Sequence, residues 1–161
     1  MHPDTYTVSL PYPDTRAVRP DPQLARRLFP LYIGPGGELS ALSNYLCAAL
    51  HTEISHPELS DIFDTVAQTE LQHFRLLGAL LRDLGVNPTI HARIDTLPLP
   101  ADTDARSLRE LFAQSLRSEQ LAADTYRYLM GQTRDEAVYN LLHRIMLDEE
   151  AHARLFTALL N

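Results

Sequence analysis

The chain contains the stretch Glu70–Leu71–Gln72–His73 and, near its end, the matching stretch Glu149–Glu150–Ala151–His152. A glutamate and a histidine three positions apart lie on one face of an α-helix, so each stretch can bind a metal ion from a single rigid element. A further glutamate precedes each stretch at nearly the same spacing, Glu38 by 32 residues and Glu119 by 30. Two helices with one glutamate each and two helices with Glu-x-x-His are typical of a four-helix bundle that encloses a dinuclear metal site.

The residues around these six positions repeat with a helical period. Their steps of three and four residues follow the 3.6-residue turn of an α-helix, which places the six polar side chains on buried faces. The four stripes are Glu38, Ala41 or Leu42, Tyr45, Ala49; Leu59, Phe63, Val66, Glu70, His73, Leu77, Leu80, Leu84; Leu108, Phe112, Ser115, Glu119, Ala122, Tyr126, Leu129; and Leu142, Ile145, Glu149, His152, Phe156, Leu159. Arg75, Arg82, Arg109 and Arg144 fall outside the stripes, and we expect them to face solvent.

Prolines and glycines predict where the helices begin and end. The four predicted helices cover residues 37–52, 57–85, 104–131 and 133–161. Pro57 suits the first turn of the second helix, and Gly85 suits the position just after its end. Thr133 with Glu136 three positions later resembles a capping box for the fourth helix. The connector of residues 86–103 contains three prolines and must return the chain along the bundle.

The first part of the chain, residues 1–36, is too rich in proline for a long helix. One short helix is predicted from Asp21 to Phe29, with Pro22 at its first position. We interpret the rest as an extended arm on the bundle surface, and a disordered tail over residues 1–15 is the alternative. The predicted fold is therefore all-α: a proline-rich N-terminal arm over 1–36 that packs on the bundle, and, over 37–161, an up-down four-helix bundle with one long crossover connection.

Length and composition exclude several classes of protein. The 161 residues fit one domain with a substantial core. The net charge of −7 with no basic cluster argues against nucleic-acid binding. No apolar run approaches the roughly 20 residues that span a bilayer, and the polar N-terminus is not a secretory signal, so a cytoplasmic protein is expected. The single cysteine, Cys47, excludes an intramolecular disulfide or a cysteine-bound metal, and we expect it to be a small buried residue.

The ligand types indicate which metals suit the site. Two imidazoles and four carboxylates suit iron or manganese, and the four negative charges offset two divalent cations. Calcium prefers all-oxygen loops and structural zinc prefers cysteines. Zinc can nevertheless replace iron or manganese in purified protein, because affinity rises along this series of metals.

The chain resembles the ferritin-like superfamily of di-iron and di-manganese carboxylate proteins, above all rubrerythrin-type proteins and manganese catalases with their spore-coat relatives. The stretches Tyr32–Leu39, Glu70–Gly78, Asp148–His152 and Leu10–Pro13 carry this resemblance, which covers nearly the whole chain. It implies two iron or two manganese ions, held by Glu38, Glu70, His73, Glu119, Glu149 and His152. The chain differs from rubrerythrin in lacking its cysteine-bound iron domain, and from full manganese catalases in being shorter.

The resemblance also implies a function. It indicates an oxidoreductase that acts on hydrogen peroxide or oxygen, in a homo-oligomer without nucleic-acid or membrane partners. A peroxidase would need an external electron donor, whereas a catalase cycles on peroxide alone, and the sequence leaves both open. The alternative is a structural protein of the spore-coat type, or an iron-handling protein, without turnover.

Three further residues are candidates for supporting roles at the site. Asp148 directly precedes Glu149 and can orient an imidazole; the alternative is a surface acid. Tyr45 and Tyr126 each follow a glutamate ligand by seven residues, so they can hydrogen-bond a bridging carboxylate or act as redox-active phenols, with simple packing as the alternative. The remaining histidines and two other acids are interpreted as surface or solvated residues: His51, His56, His91, His143, Glu53 and Glu150.

Overall fold

The structure is a computed structural model that describes residues 6–15, 18–90 and 98–161. Across these ranges all regular secondary structure is helical, which confirms the all-α prediction. The helices are α1 (Pro22–Ile33), α2 (Glu38–Thr52), α3 (Pro57–Asp83), α4 (Ala105–Met130) and α5 (Glu136–Leu160). None of these helices is long and apolar enough to cross a membrane.

The four long helices form two hairpins, α2 with α3 and α4 with α5. The start of α4 lies beside the turn between α2 and α3, where Thr103 donates to the Ser55 hydroxyl and His51 Nε2 lies 3.3 Å from the Asp102 carbonyl oxygen. The 27 residues of α3 span about 40 Å from that turn to the other end of the bundle. The end of α3 and the start of α4 therefore lie at opposite ends of the bundle, so α3 and α4 point the same way. This confirms the single long crossover.

Local sequence explains how α3 ends and α4 begins. Gly85 adopts φ +90°, and the Val86 N–H donates to the Leu81 carbonyl at 2.9 Å, as in a Schellman motif. Asp104 caps α4 by accepting the Ser107 N–H at 2.8 Å. These signals, visible in the sequence, fix the depth at which each helix carries its polar residues.

The start of α5 differs from the prediction. Asp135, not Thr133, is the N-cap, because its carboxylate accepts the N–H groups of Ala137 and Val138. Thr133 instead accepts the N–H of Asp135. A carboxylate next to the positive helix N-terminus is favoured electrostatically, so α5 begins at Glu136.

The helix α1 extends four residues beyond its predicted end at Phe29 and continues through Pro30 to Ile33. Burial of Leu31, Tyr32 and Ile33 against the bundle stabilises this last turn. The next helix starts directly against it: a Cβ on Gly37 would lie 2.6 Å from the Leu31 carbonyl oxygen, so glycine alone permits the approach. This contact places Glu38 at the first position of α2.

Two apolar clusters fill the bundle on either side of the polar residues. One contains α1, the C-terminal halves of α3 and α4 and the N-terminal half of α5. Leu28, Leu77 and Leu142 are among its fully buried members. The other surrounds Phe63 and Phe156 at the opposite end. Cys47 belongs to neither cluster and is exposed, contrary to the prediction, because it lies about 200° around α2 from the buried Tyr45.

Candidate metal centre

The six residues with metal-ligand spacing meet between the two apolar clusters, and each is at most 4% exposed. They form two overlapping groups in which one ligand atom per residue lies within 4.8 Å of the others. The His73 group consists of Glu38, Glu70, His73 and Glu149, and the His152 group consists of Glu70, Glu119, Glu149 and His152. Glu70 and Glu149 belong to both groups, so this is the arrangement of a site that could bind two metal ions.

In the His73 group, three carboxylates surround one imidazole nitrogen. His73 Nδ1 lies 3.0 Å from Glu149 Oε1, 3.3 Å from Glu70 Oε2 and 3.6 Å from Glu38 Oε2. The three carboxylates come from α2, α3 and α5, which the local caps and turns hold at a common level. Here α2 contributes through its first residue, which the glycine-rich turn positions.

The His152 group repeats this arrangement with α4 in place of α2. His152 Nδ1 lies 3.0 Å from Glu70 Oε1, 3.3 Å from Glu119 Oε2 and 3.7 Å from Glu149 Oε2. Glu70 and Glu149 each present one oxygen to either imidazole. The two shared carboxylates therefore have the geometry of bridging ligands.

Tyr45 and Tyr126 contact carboxylates that belong to only one group, and not a shared carboxylate as predicted. The Tyr45 hydroxyl donates to Glu119 Oε1, and the Tyr126 hydroxyl donates to Glu38 Oε1. Tyr45 also stacks at 5.6 Å on Phe156, so its ring packs in the core while its hydroxyl reaches the cluster. Each hydroxyl fixes the orientation of one carboxylate.

Asp148 is fully buried and contacts His73, so the surface-acid alternative is wrong. Its Oδ2 lies 3.0 Å from His73 Nε2, the ring nitrogen that faces away from the other carboxylates. The same oxygen accepts the Tyr12 hydroxyl at 2.6 Å, and Oδ1 accepts the Val8 N–H at 2.8 Å. The N-terminal arm therefore reaches the edge of the cluster.

Arg144 is buried, contrary to the prediction that it faces solvent. Its Nη1 lies 2.6 Å from Asp148 Oδ2, while Nε and Nη2 donate to the carbonyls of Leu10 and Val8 at 2.8 and 2.6 Å. The arm covers this face of α5 and supplies the acceptors that a buried guanidinium requires. The spacing of four residues between Arg144 and Asp148 was the sequence signal for this pair.

The environment of His152 differs. Its Nε2 is buried and has no hydrogen-bond partner within residues 6–15, 18–90 and 98–161. The residue that precedes Glu70, as Asp148 precedes Glu149, is Thr69, and its hydroxyl donates to the Thr65 carbonyl within α3. The two halves of the site thus match in their Glu-x-x-His stretches but not in what supports the imidazole.

The carboxylates that belong to one group alone favour the protonated form. Burial is the main cause that raises the pKa of Glu38 and Glu119 well above the usual range, and the charge of Glu149 adds to it. Crowding of carboxylates in a dry core has this effect because the charged form loses hydration and meets like charge.

The shared carboxylates and the imidazoles favour their charged forms. Burial opposes ionisation of Glu70 and Glu149, but hydrogen bonds with His152 and His73 hold the pKa of both carboxyls below the usual value. Burial likewise acts to lower the pKa of both imidazoles, yet the carboxylates around them raise it well above the usual value. Without metal, imidazolium groups thus neutralise the centre.

The other polar candidates stay outside the cluster. His51 and His56 are half-buried near the α2–α3 turn, and His143 is exposed. Glu53 is exposed, and Glu150 pairs with Arg127 at 2.8 Å. His91 lies outside the described residues.

A narrow cavity of about 30 Å³ connects the cluster with the surface between α2 and α4. It reaches Glu70 and Glu149 on the inside and the partly exposed Asn44 and Ser118 on the outside. Its volume is about that of one water molecule. Small molecules can therefore approach the carboxylates from this side.

Comparisons with known proteins agree with this architecture. The family model of the ferritin-like domain matches residues 37–161. Two crystal structures of KatB, a manganese catalase from Anabaena, share the fold: one, from Anabaena PCC7120, with a TM-score of 0.77 at 19% identity, and one of the wild-type protein with 0.73 at 18%. In both, 95% of this chain and 78% of the other chain are covered. No curated protein sequence matches the chain.

Proposed function

The chain belongs to the ferritin-like domain family, and we propose that it is a dinuclear manganese or iron oxidoreductase that acts on hydrogen peroxide. The observation that carries this proposal is the pair of buried ligand groups that share Glu70 and Glu149. The likeness in fold to a manganese catalase supports peroxide rather than oxygen as the substrate and manganese rather than iron as the metal.

The donor atoms fit two such cations. Glu70 Oε1 and Glu149 Oε1 are buried and, apart from the imidazole nitrogens 3.0 Å away, have no hydrogen-bond partner among the described residues, as expected of oxygens that face a cation. Four carboxylates balance two divalent charges, which makes burial of the whole set tolerable. One imidazole and three carboxylate contacts per position suit manganese and iron, whereas zinc in purified protein would be a substitute.

The roles of the surrounding residues follow from their contacts. The metal pair, when bound, supplies Lewis acidity and redox equivalents. Asp148 accepts a hydrogen bond from the His73 Nε2–H, which keeps the proton on that nitrogen and leaves the Nδ1 lone pair free for the metal. Tyr45 and Tyr126 hold Glu119 and Glu38, so these carboxylates cannot rotate away. All three act as positioning residues.

The cavity between α2 and α4 sets the size of the substrate. Its small volume of about 30 Å³ favours a small substrate such as hydrogen peroxide over larger organic molecules. Disproportionation of peroxide needs no electron donor, and we favour it over a donor-dependent peroxidase for this reason.

A structural role remains the second candidate, because large apolar side chains are exposed on the bundle surface. Leu50 on α2 and Leu121 and Tyr128 on α4 are each more than 60% exposed. Exposed apolar residues of this kind favour contacts between copies of the chain, and therefore a homo-oligomer. The two proposed locations of such an oligomer are the cytoplasm and a spore coat. The iron-handling alternative would use the same cluster without peroxide turnover.

The test is peroxide decomposition by protein loaded with manganese and, separately, with iron. Oxygen evolution is measured for the wild type, Glu149→Ala and the matched control Glu150→Ala, which removes the neighbouring acid outside the cluster. We expect the wild type and the control to evolve oxygen, and Glu149→Ala to lose at least about 100-fold while its helix content persists. Wild-type protein with two bound metal ions and no peroxide consumption would favour the structural role.

A further inference from the structure

We propose that the N-terminal arm makes the two metal positions unequal: through Asp148 it positions His73 and so strengthens metal binding in the His73 group alone. This inference depends on the dinuclear site proposed above. It assigns a role to residues 6–15 that the family model, which begins at residue 37, does not include.

The contacts between the arm and Asp148 are direct. Tyr12 donates its hydroxyl and Val8 its backbone N–H, one to each carboxylate oxygen. With His73 Nε2 and Arg144 Nη1 also within 3.0 Å of Oδ2, four groups from three parts of the chain contact the carboxylate. Asp148 therefore has one fixed orientation as long as the arm is in place.

Arg144 ties the arm to α5. Its guanidinium binds the carbonyls of Val8 and Leu10 and lies 4.3 Å from the centre of the Tyr12 ring, in a cation–π contact. The Tyr12 ring in turn lies edge-on to the His73 ring, with centroids 6.1 Å apart. Backbone, hydroxyl and ring contacts thus all hold the arm next to the same imidazole.

Among the described residues, no equivalent support reaches the other imidazole. His152 Nε2 is buried without a hydrogen-bond partner, and the position that corresponds to Asp148 is occupied by Thr69. A carboxylate that accepts the outer N–H of a ligating histidine fixes its tautomer and raises its basicity. The His73 position therefore binds metal more tightly than the His152 position.

The Tyr12 hydroxyl is a dependable donor. Burial, with the hydrogen bond and charge of Asp148, raises the pKa of Tyr12 to about 12, so the hydroxyl keeps its proton across the physiological range. Loss of an outer partner of this kind typically costs 10- to 100-fold in metal affinity. Because Tyr12 acts through Asp148, we expect about a tenfold loss for Tyr12→Phe.

The experiment measures manganese affinity of the full-length chain in two backgrounds that each keep one imidazole. His152→Ala retains the His73 position, and His73→Ala retains the His152 position. We expect Tyr12→Phe to weaken manganese binding about tenfold in the first background and to leave the second unchanged. Tyr32→Phe is the matched control. It also removes one hydrogen bond of a tyrosine hydroxyl, the one that Tyr32 donates to the Pro88 carbonyl, but in the apolar cluster around α1.

A second measurement tests the inference without the single-histidine variants, in case either of them fails to fold. In an otherwise wild-type chain, dialysis against increasing chelator should reduce Tyr12→Phe from two manganese ions to one at a lower chelator concentration than Tyr32→Phe. Equal weakening in both backgrounds, or equal retention in the two tyrosine variants, would overturn the inference while leaving the proposed function intact. Wild-type protein that binds no manganese at all would instead refute the dinuclear site.

Discussion

Removal of the metal ions is expected to destabilise the protein most at alkaline pH and least near pH 5. In the metal-free cluster, burial and neighbouring charge raise the pKa of Glu38 and Glu119. Burial opposes the charged imidazoles, but the carboxylates raise the pKa of His73 and His152. A group whose pKa is higher in the folded state stabilises the fold below its unfolded pKa and loses that contribution as the pH rises through its folded pKa.

The two shared carboxyls change the free energy of unfolding in the opposite direction with pH, and they do so in a lower pH range. Because the pKa of Glu70 and Glu149 is lowered on folding, their contribution is present above the ordinary glutamate pKa and is lost only as the pH falls further. The metal-free protein should therefore be most stable near the ordinary glutamate pKa, at about pH 4.5–5, and lose stability as the pH rises above it.

Metal binding has the reverse pH dependence, because cations must displace protons. Two come from the imidazoles and two from the carboxyls of Glu38 and Glu119, so up to about four protons are released when two ions bind. At a free metal concentration 100-fold above Kd, each ion contributes about 2.7 kcal/mol to stability, or about 5 kcal/mol for both. For a domain of this size that corresponds to about 10–20 °C in Tm.

The assay combines thermal melting, followed by circular dichroism, with titration calorimetry. Melting with and without chelator is compared from pH 5.5 to 8.5, and the proton count is taken from the dependence of binding heat on the ionisation enthalpy of the buffer. Glu149→Ala is the control for direct effects of the chelator. Identical melting of loaded and chelated wild type at pH 7.5, or release of fewer than two protons, would refute the reasoning.

Two further predictions concern residues next to the cluster. Tyr126→Phe removes the hydroxyl that holds Glu38; we expect metal affinity to fall about tenfold with the fold retained, measured by manganese titration against the exposed Tyr128→Phe. Ala122→Leu adds bulk to the wall of the cavity between α2 and α4; we expect peroxide turnover to fall severalfold at unchanged metal content, and full turnover would show that substrate enters elsewhere.

The helical bundle and the six polar residues that meet in it were predictable from the sequence alone. A helix repeats every 3.6 residues, so the spacing of Glu70, His73, Glu149 and His152 among apolar residues specifies their common face without knowledge of any partner. Helix ends were predictable where they depend on local chemistry, as at Pro57 and Gly85. The period also placed Tyr45 and Tyr126 on the buried faces, because residues seven apart share a face. Their partners were not predictable in this way, since each hydroxyl donates to a glutamate of the other hairpin.

The groups that support the two imidazoles depend on tertiary contacts, which the sequence pattern did not decide. Arg144 was placed in solvent by its position outside the stripe, and it is buried because residues separated from it by more than 130 positions cover it. Cys47 is exposed because it lies on the face of α2 opposite the buried Tyr45. The period of a helix specifies which residues share a face, but whether an arm from far along the chain covers that face depends on contacts that no local pattern encodes.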